Sequence, residues 1–135
     1  MDPILHLSMP VADLDAARDF YVEVLGCAPG RSSDQAADVW FFGLQLTLQN
    51  RPAEVLADPG TRHFGVTLDA GDLATVCARV EAHGTTWLRG PSTKHEGTPH
   101  EETKAYLADP SGNVIELKSY ADLNATLRST ATGYA

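Results

Sequence analysis

The chain has 135 residues, 18 of them acidic against 10 basic, and a net charge of −8. That length holds one compact domain or two very small similar halves, and an acidic chain with scattered basic residues argues against nucleic acid and against an anionic membrane surface as partners. Its apolar runs are far shorter than the roughly 20 residues of a membrane span, no N-terminal stretch resembles a signal peptide, and Cys27 and Cys77 read as free thiols, so a cytoplasmic location is expected.

In chain order, a first strand is expected over Ile4 to Met9, with His6 inside it. Pro10 and the N-cap Asp13 then lead to a helix with Leu14, Ala17, Tyr21 and Val24 on one face and Gly26 as its stop. Strands follow around Cys27 to Arg31, over Val39 to Phe42 and over Leu44 to Leu48. The stretch from Asn50 to Arg62, with Pro52, Pro59 and Gly60, has the composition of a linker. The plan then returns: a strand from His63 to Leu68, an N-cap at Asp72, a helix with Leu73, Val76, Cys77 and Val80 on one face, and Gly84 as the stop. From histidine to stopping glycine the two stretches run 20 and 21 residues. Strands are expected again over Thr85 to Leu88, Ala105 to Ala108 and Asn113 to Leu117. The tail after Ala121 carries Leu123 and Leu127 at helical spacing, which predicts a short docked helix.

Each half reads as strand, helix, strand, strand, strand, an internal repeat. The expected organisation is an α+β domain with module one at 1–50, a linker at 51–62, module two at 63–121 and a tail at 122–135.

Alternate side chains on a strand face opposite ways, so polar positions select one face. Leu44, Leu46 and Leu48 oppose Gln45, Thr47 and Gln49; Phe64, Val66 and Leu68 oppose His63, Gly65 and Thr67; Ile115 and Leu117 oppose Glu116 and Lys118; Leu5 and Leu7 oppose His6 and Ser8. Four strands thus offer apolar faces for helices to cover and polar faces that could line a shared cup. His6, His63 and Glu116 stand on those polar faces, and two imidazoles with one carboxylate form a set that binds a divalent metal and leaves three positions open.

His95 and His100 lie in the polar stretch "TKHEGTPHEETK" upstream of Tyr106, where a loop could bring either near a substrate. His83, just before Gly84, reads as a cation at a helix C-terminus. Trp40, Phe42 and Trp87 are candidates for an apolar pocket wall. The "DPSGN" turn from Asp109 to Asn113 reads as structural, holding Glu116 in register.

The segments "ILHLSMPVADLDAARDFYVEVLG", "RHFGVTL" and "YLADPSGNVIEL" resemble, in that order, the vicinal oxygen chelate superfamily of glyoxalases, extradiol dioxygenases, fosfomycin-resistance enzymes and bleomycin-resistance proteins. The resemblance implies two βαβββ modules joined in an open, curved mixed sheet with helices outside. It implies metal ligation by His6, His63 and Glu116, with Gln45 where glyoxalase I enzymes place a fourth ligand. It also implies Tyr106 in the place of a tyrosine that hydrogen-bonds a bound catecholate, with His95 or His100 handling protons and Glu116 as a base.

The expected function is a divalent-metal-dependent enzyme, with Fe2+ or Mn2+ favoured over Zn2+ or Ni2+, that holds a small substrate through two vicinal oxygens. A dioxygenase-like reaction is the leading expectation. One alternative is a glyoxalase-like lyase or isomerase that does not use glutathione, because Met9 and Pro10 stand where that family's arginine is expected. The other is a non-enzymatic binder of the bleomycin-resistance type. A homodimer is expected, with modules pairing either within or between chains.

Overall fold

The computed structural model describes residues 1–128; the end of the expected tail, 129–135, lies outside the described residues. Module one runs β1 (His6–Val11), α1 (Leu14–Asp19), a π-helical turn (Phe20–Val24), β2 (Ala28–Ser32), β3 (Ala36–Phe41) and β4 (Leu44–Asn50). Module two runs β5 (Phe64–Thr67), α2 (Ala70–Ala82), β6 (Arg89–Lys94), β7 (Glu102–Ala108) and β8 (Val114–Tyr120), followed by the short helix α3 (Leu123–Thr126). The repeat becomes a repeated topology. Strand order is β1-β4-β3-β2 in one four-stranded sheet and β5-β8-β7-β6 in the other, with β1 and β4 parallel, β5 and β8 parallel, and the remaining pairs antiparallel. The domain is therefore α+β, two βαβββ modules with open mixed sheets.

The local chemistry explains where elements begin and end. Asp13 accepts the backbone N–H of Ala16, as an N-cap should. In the second helix the cap is Asp69, whose carboxylate accepts the N–H of Asp72, so the expected start at Asp72 falls one turn late. Asp72 sits instead in the first turn, where a carboxylate complements the helix dipole. β1 continues past Pro10 to Val11 because β1 is an edge strand, and proline's missing N–H leaves no ladder bond broken there.

The strand expected over Thr85 to Leu88 lies further along, at Arg89–Lys94. Its sequence, RGPSTK, shows no apolar alternation because β6 is an exposed edge with a register shift between Arg89 and Ser92. Trp87, which drew the expectation, packs against the core, and its indole N–H donates to Glu81.

The two apolar sheet faces and the helices share one core that includes Val11, Tyr21, Phe41, Leu46, Leu107 and Leu117. Within it a buried polar tie joins the modules. Tyr21 Oη donates to Asp109 Oδ2 at 2.9 Å, while Asp109 Oδ1 accepts the backbone N–H groups of Ser111 and Asn113. Desolvation, then the charge of Asp109, pushes the Tyr21 hydroxyl well above its usual pKa, which keeps it a donor. Asn113 Nδ2 donates to the carbonyl of Pro10 and Ser111 Oγ accepts the N–H of Ala12, so the "DPSGN" turn grips the end of β1 as well as leading into β8. Both cysteines are free, Cys27 buried and Cys77 half-buried.

Candidate metal centre

The polar faces fall where the alternation places them. In module one His6 pairs directly with Gln45, Ser8 with Thr47, and Trp40 and Asp38 face Gln45 and Thr47 from β3. In module two Gly65 pairs with Glu116, Tyr106 lies opposite Glu116 on β7, and Lys104 lies opposite Lys118. The two modules differ by a step of two residues. His6 is the direct partner of Gln45, whereas His63 precedes β5 and stands two residues before Gly65 on the same face. Gly65 is required by the close approach of the two strands, since a Cβ there would meet the carbonyl oxygen of Glu116 at 1.9 Å.

Around Glu116 the side chains are well ordered by contacts. Its carboxylate is buried, at 6% exposure. Oε1 accepts the hydroxyl of Tyr106 at 2.7 Å, and Oε2 faces His63 Nε2 at 3.2 Å and Lys118 Nζ at 3.7 Å. Desolvation works against the charged form, but the hydrogen bond from Tyr106 and the charges of Lys118, His63 and Lys104 outweigh it and hold the carboxyl below its usual pKa. Desolvation, reinforced by the bond to Glu116, raises Tyr106, so its hydroxyl stays a donor.

Both candidate imidazoles are fixed by backbone carbonyls. His6 Nδ1 contacts the carbonyl of Gln45 at 3.1 Å and His63 Nδ1 that of Thr61 at 2.8 Å. A carbonyl oxygen only accepts, so each Nδ1 carries the hydrogen and each Nε2 is the atom left for another partner, an arrangement common to metal-binding histidines. His83 makes the same contact to Arg79 O while capping α2, which agrees with its expected place at a helix end.

Gln45 is oriented too. Its Nε2 donates to Asp38 Oδ2 at 3.3 Å. The same carboxylate accepts Arg31 Nε at 2.8 Å and Thr47 Oγ1 at 2.6 Å. Desolvation opposes the charge on Asp38, but these hydrogen bonds hold its carboxyl below the usual pKa, and an ionised carboxylate can only accept. The amide nitrogen of Gln45 must therefore face Asp38, which leaves Oε1, the one atom of an amide that can ligate a cation, free.

The single chain does not gather all of these donors. Among the described residues no group of three or more His, Cys, Asp and Glu side chains stands close enough to hold a metal ion. His63 and Glu116 meet at the β5–β8 end of module two, and His6 and Gln45 at the β1–β4 end of module one. His95 and His100 lie in the connection between β6 and β7; His100 Nδ1 contacts Thr126 Oγ1 at 3.4 Å, and among the described residues no hydrogen bond joins either histidine to Tyr106 or Glu116. Trp40 is partly exposed on the face of Gln45, and Phe42 takes a positive φ of 49° in the β3–β4 turn.

Sequence reading missed Asp38 as a functional residue. Its signal was present, since an aspartate inside the apolar strand AADVWF must find donors if it is to be buried.

The comparisons with known proteins bear on the family and the fold. Residues 3–117 match the family model described as Glyoxalase/Bleomycin resistance protein/Dioxygenase superfamily. A "Probable lactoylglutathione lyase" of Vibrio cholerae is 28% identical over 124 residues, 84% of this chain and 88% of that protein. A "Catechol-2,3-dioxygenase" of Bacillus subtilis is 29% identical over 124 residues, and the match spans 40% of that longer protein. The solved structure of a glyoxalase/bleomycin resistance protein/dioxygenase from Alicyclobacillus acidocaldarius superposes with a TM-score of 0.78 at 32% identity, covering 90% of this chain and 93% of that one.

Proposed function

We propose, since this chain belongs to the Glyoxalase/Bleomycin resistance protein/Dioxygenase superfamily, that it is a metal-dependent lyase or isomerase acting on a small substrate held through two vicinal oxygens. The donor chemistry fits a divalent transition ion. With Nδ1–H committed to a carbonyl, His63 turns a lone pair toward the lone pairs of Glu116 Oε2 at 3.2 Å, a contact that needs a proton or a cation between the two atoms. An imidazole nitrogen and a carboxylate oxygen are donor types that a divalent transition ion would take.

His6 Nε2, Gln45 Oε1, His63 Nε2 and Glu116 Oε2 would hold the ion. The single chain keeps them as two pairs, so we assign the complete set to a homodimer in which the His6–Gln45 pair of one protomer meets the His63–Glu116 pair of the other.

The observation that carries the reaction class is the hydrogen bond from Gln45 to Asp38. It turns the amide oxygen of Gln45 into a fourth candidate donor beside two imidazoles and one carboxylate, the place where glyoxalase I enzymes carry a fourth ligand. A fourth donor of this kind supports the lyase or isomerase alternative ahead of the dioxygenase expected from sequence. The bound ion would supply polarisation of both substrate oxygens, which acidifies the neighbouring C–H.

Glu116 is the base of this reading. Its buried carboxylate is held ionised by the hydrogen bond from Tyr106 and the charge of Lys118, as a general base must be. Tyr106 Oη keeps Oε1 in place, and Trp40 supplies an apolar wall beside Gln45.

The test is elemental analysis of chelator-free protein together with its solution mass. One transition metal per chain, lost in His63→Ala, in a homodimer is the expected result. Metal-free protein would leave the non-enzymatic binder, and oxygen uptake with a catechol would restore the dioxygenase.

A further inference from the structure

The open face of module two is cationic in an acidic protein. The strand registers put Arg89, Lys94, Lys104 and Lys118 on the face that carries Glu102 and Glu116, four cations against two carboxylates in a chain where acidic residues outnumber basic ones 18 to 10. Lys104 and Lys118 are direct cross-strand partners on that face, an arrangement that destabilises a sheet unless something negative sits over it. Their local carboxylates do not balance the face. Lys104 Nζ pairs with Glu102 at 3.3 Å, and Lys118 Nζ has Glu116 at 3.7 Å. If Glu116 ligates an ion, its charge is shared with that ion and Lys118 loses its partner.

Arg89 closes the other side. Its guanidinium lies 4.4 Å from the centroid of the Tyr106 ring, which donates to Glu116, so Arg89 and Lys118 flank the candidate ligand from β6 and β8. A divalent ion with one carboxylate, an arginine and a lysine leaves a local excess of positive charge that a neutral diol would not neutralise.

We propose that Arg89 and Lys118, with Lys104 behind them, form an anion subsite, and that the substrate carries a carboxylate or phosphoryl group next to its two vicinal oxygens. This rests on the reading of Glu116 as a metal ligand. Module one offers no such field: its open face carries Asp38 paired to Arg31, with Gln45, Thr47 and Gln49 uncharged.

The test compares catechol with 3,4-dihydroxybenzoate, titrated into Zn2+-loaded protein, which does not oxidise either probe. The carboxylated diol should bind about tenfold more tightly at low ionic strength. In a folded Arg89→Met/Lys118→Met variant, checked by circular dichroism and for equal zinc content, the ratio of the two affinities should fall below about threefold, and a ratio kept near tenfold overturns the assignment to these two residues. Equal affinities in the native protein overturn the anion subsite and leave the chelating site standing. If neither diol binds, the chelating site is overturned, and orthophosphate titrated into metal-free protein decides the subsite alone: protection against thermal unfolding that the double variant lacks supports it, and absence of protection overturns it.

Discussion

Strands β4 and β8 occupy the same place in their modules, yet they present opposite kinds of donor. β4 offers Gln45, a neutral amide whose direction is set by the buried Asp38. β8 offers Glu116, a buried carboxylate set among Tyr106, His63 and Lys118. One backbone plan has been given a neutral half and a charged half. The lesson is that topology sets where a donor can stand, while neighbouring side chains set its charge and which atom it shows. The first strands differ as well, His6 lying directly across from Gln45 and His63 lying two residues before the partner of Glu116.

Removing each central donor breaks the comparison most sharply. Glu116→Ala should lower metal affinity by more than about 100-fold, and Gln45→Ala by only about 10-fold, because an amide is the weaker donor. Competition against a chromophoric chelator measures both. Equal losses would mean that the two halves are alike in function as well as in topology.

Gly65→Ala tests the approach of β5 to β8, which module one meets with a histidine. The new Cβ would run into the backbone carbonyl of Glu116, so stability should fall by about 3 kcal/mol in urea titration. An unchanged midpoint would show that the strands can part at little cost.

Asp38→Asn targets the device peculiar to module one. Its folded-state pKa lies below the usual carboxyl value, so its contribution is present at neutral pH and is lost as pH falls through that folded-state pKa. The variant should be about 1–2 kcal/mol less stable at pH 7, with the difference shrinking as pH falls through the folded-state pKa of Asp38. Its metal affinity should also drop several-fold, because the neutral partner no longer dictates the direction of the Gln45 amide. A stability loss with no change in metal affinity would remove Gln45 from the ligand set.

The smallest effect belongs to Arg31. It bonds Asp38 at 2.8 Å but is 84% exposed, so Arg31→Ala should cost less than about 1 kcal/mol. A larger loss would mean that solvent screens this pair less than its exposure implies.

Much of this was legible because it is written in short-range patterns. Period-2 alternation put Gln45, Thr47, Gly65, Glu116 and Lys118 on polar faces, and the pairings agree, while His63 falls just before β5. The caps were half legible: Asp13 is the cap expected, but Asp69 and Asp72 are equally good residues one turn apart, and only the fold of the β5–α2 connection chooses between them. β6 was illegible for the opposite reason, since an edge strand exposed along its whole length needs no apolar alternation.

The sequence by itself determined the repeat, the α+β class and which polar side chains are candidate donors, because alternation, caps and stopping glycines act over a few residues. Only the tertiary structure decided what those donors can do. That Gln45 shows its oxygen depends on a carboxylate seven residues away in sequence and one strand away in space. That His6 and Gln45 form one pair, and His63 and Glu116 another, depends on pairings across 39 and 53 residues. Such pairings are selected by packing of the whole core, and no local pattern encodes them.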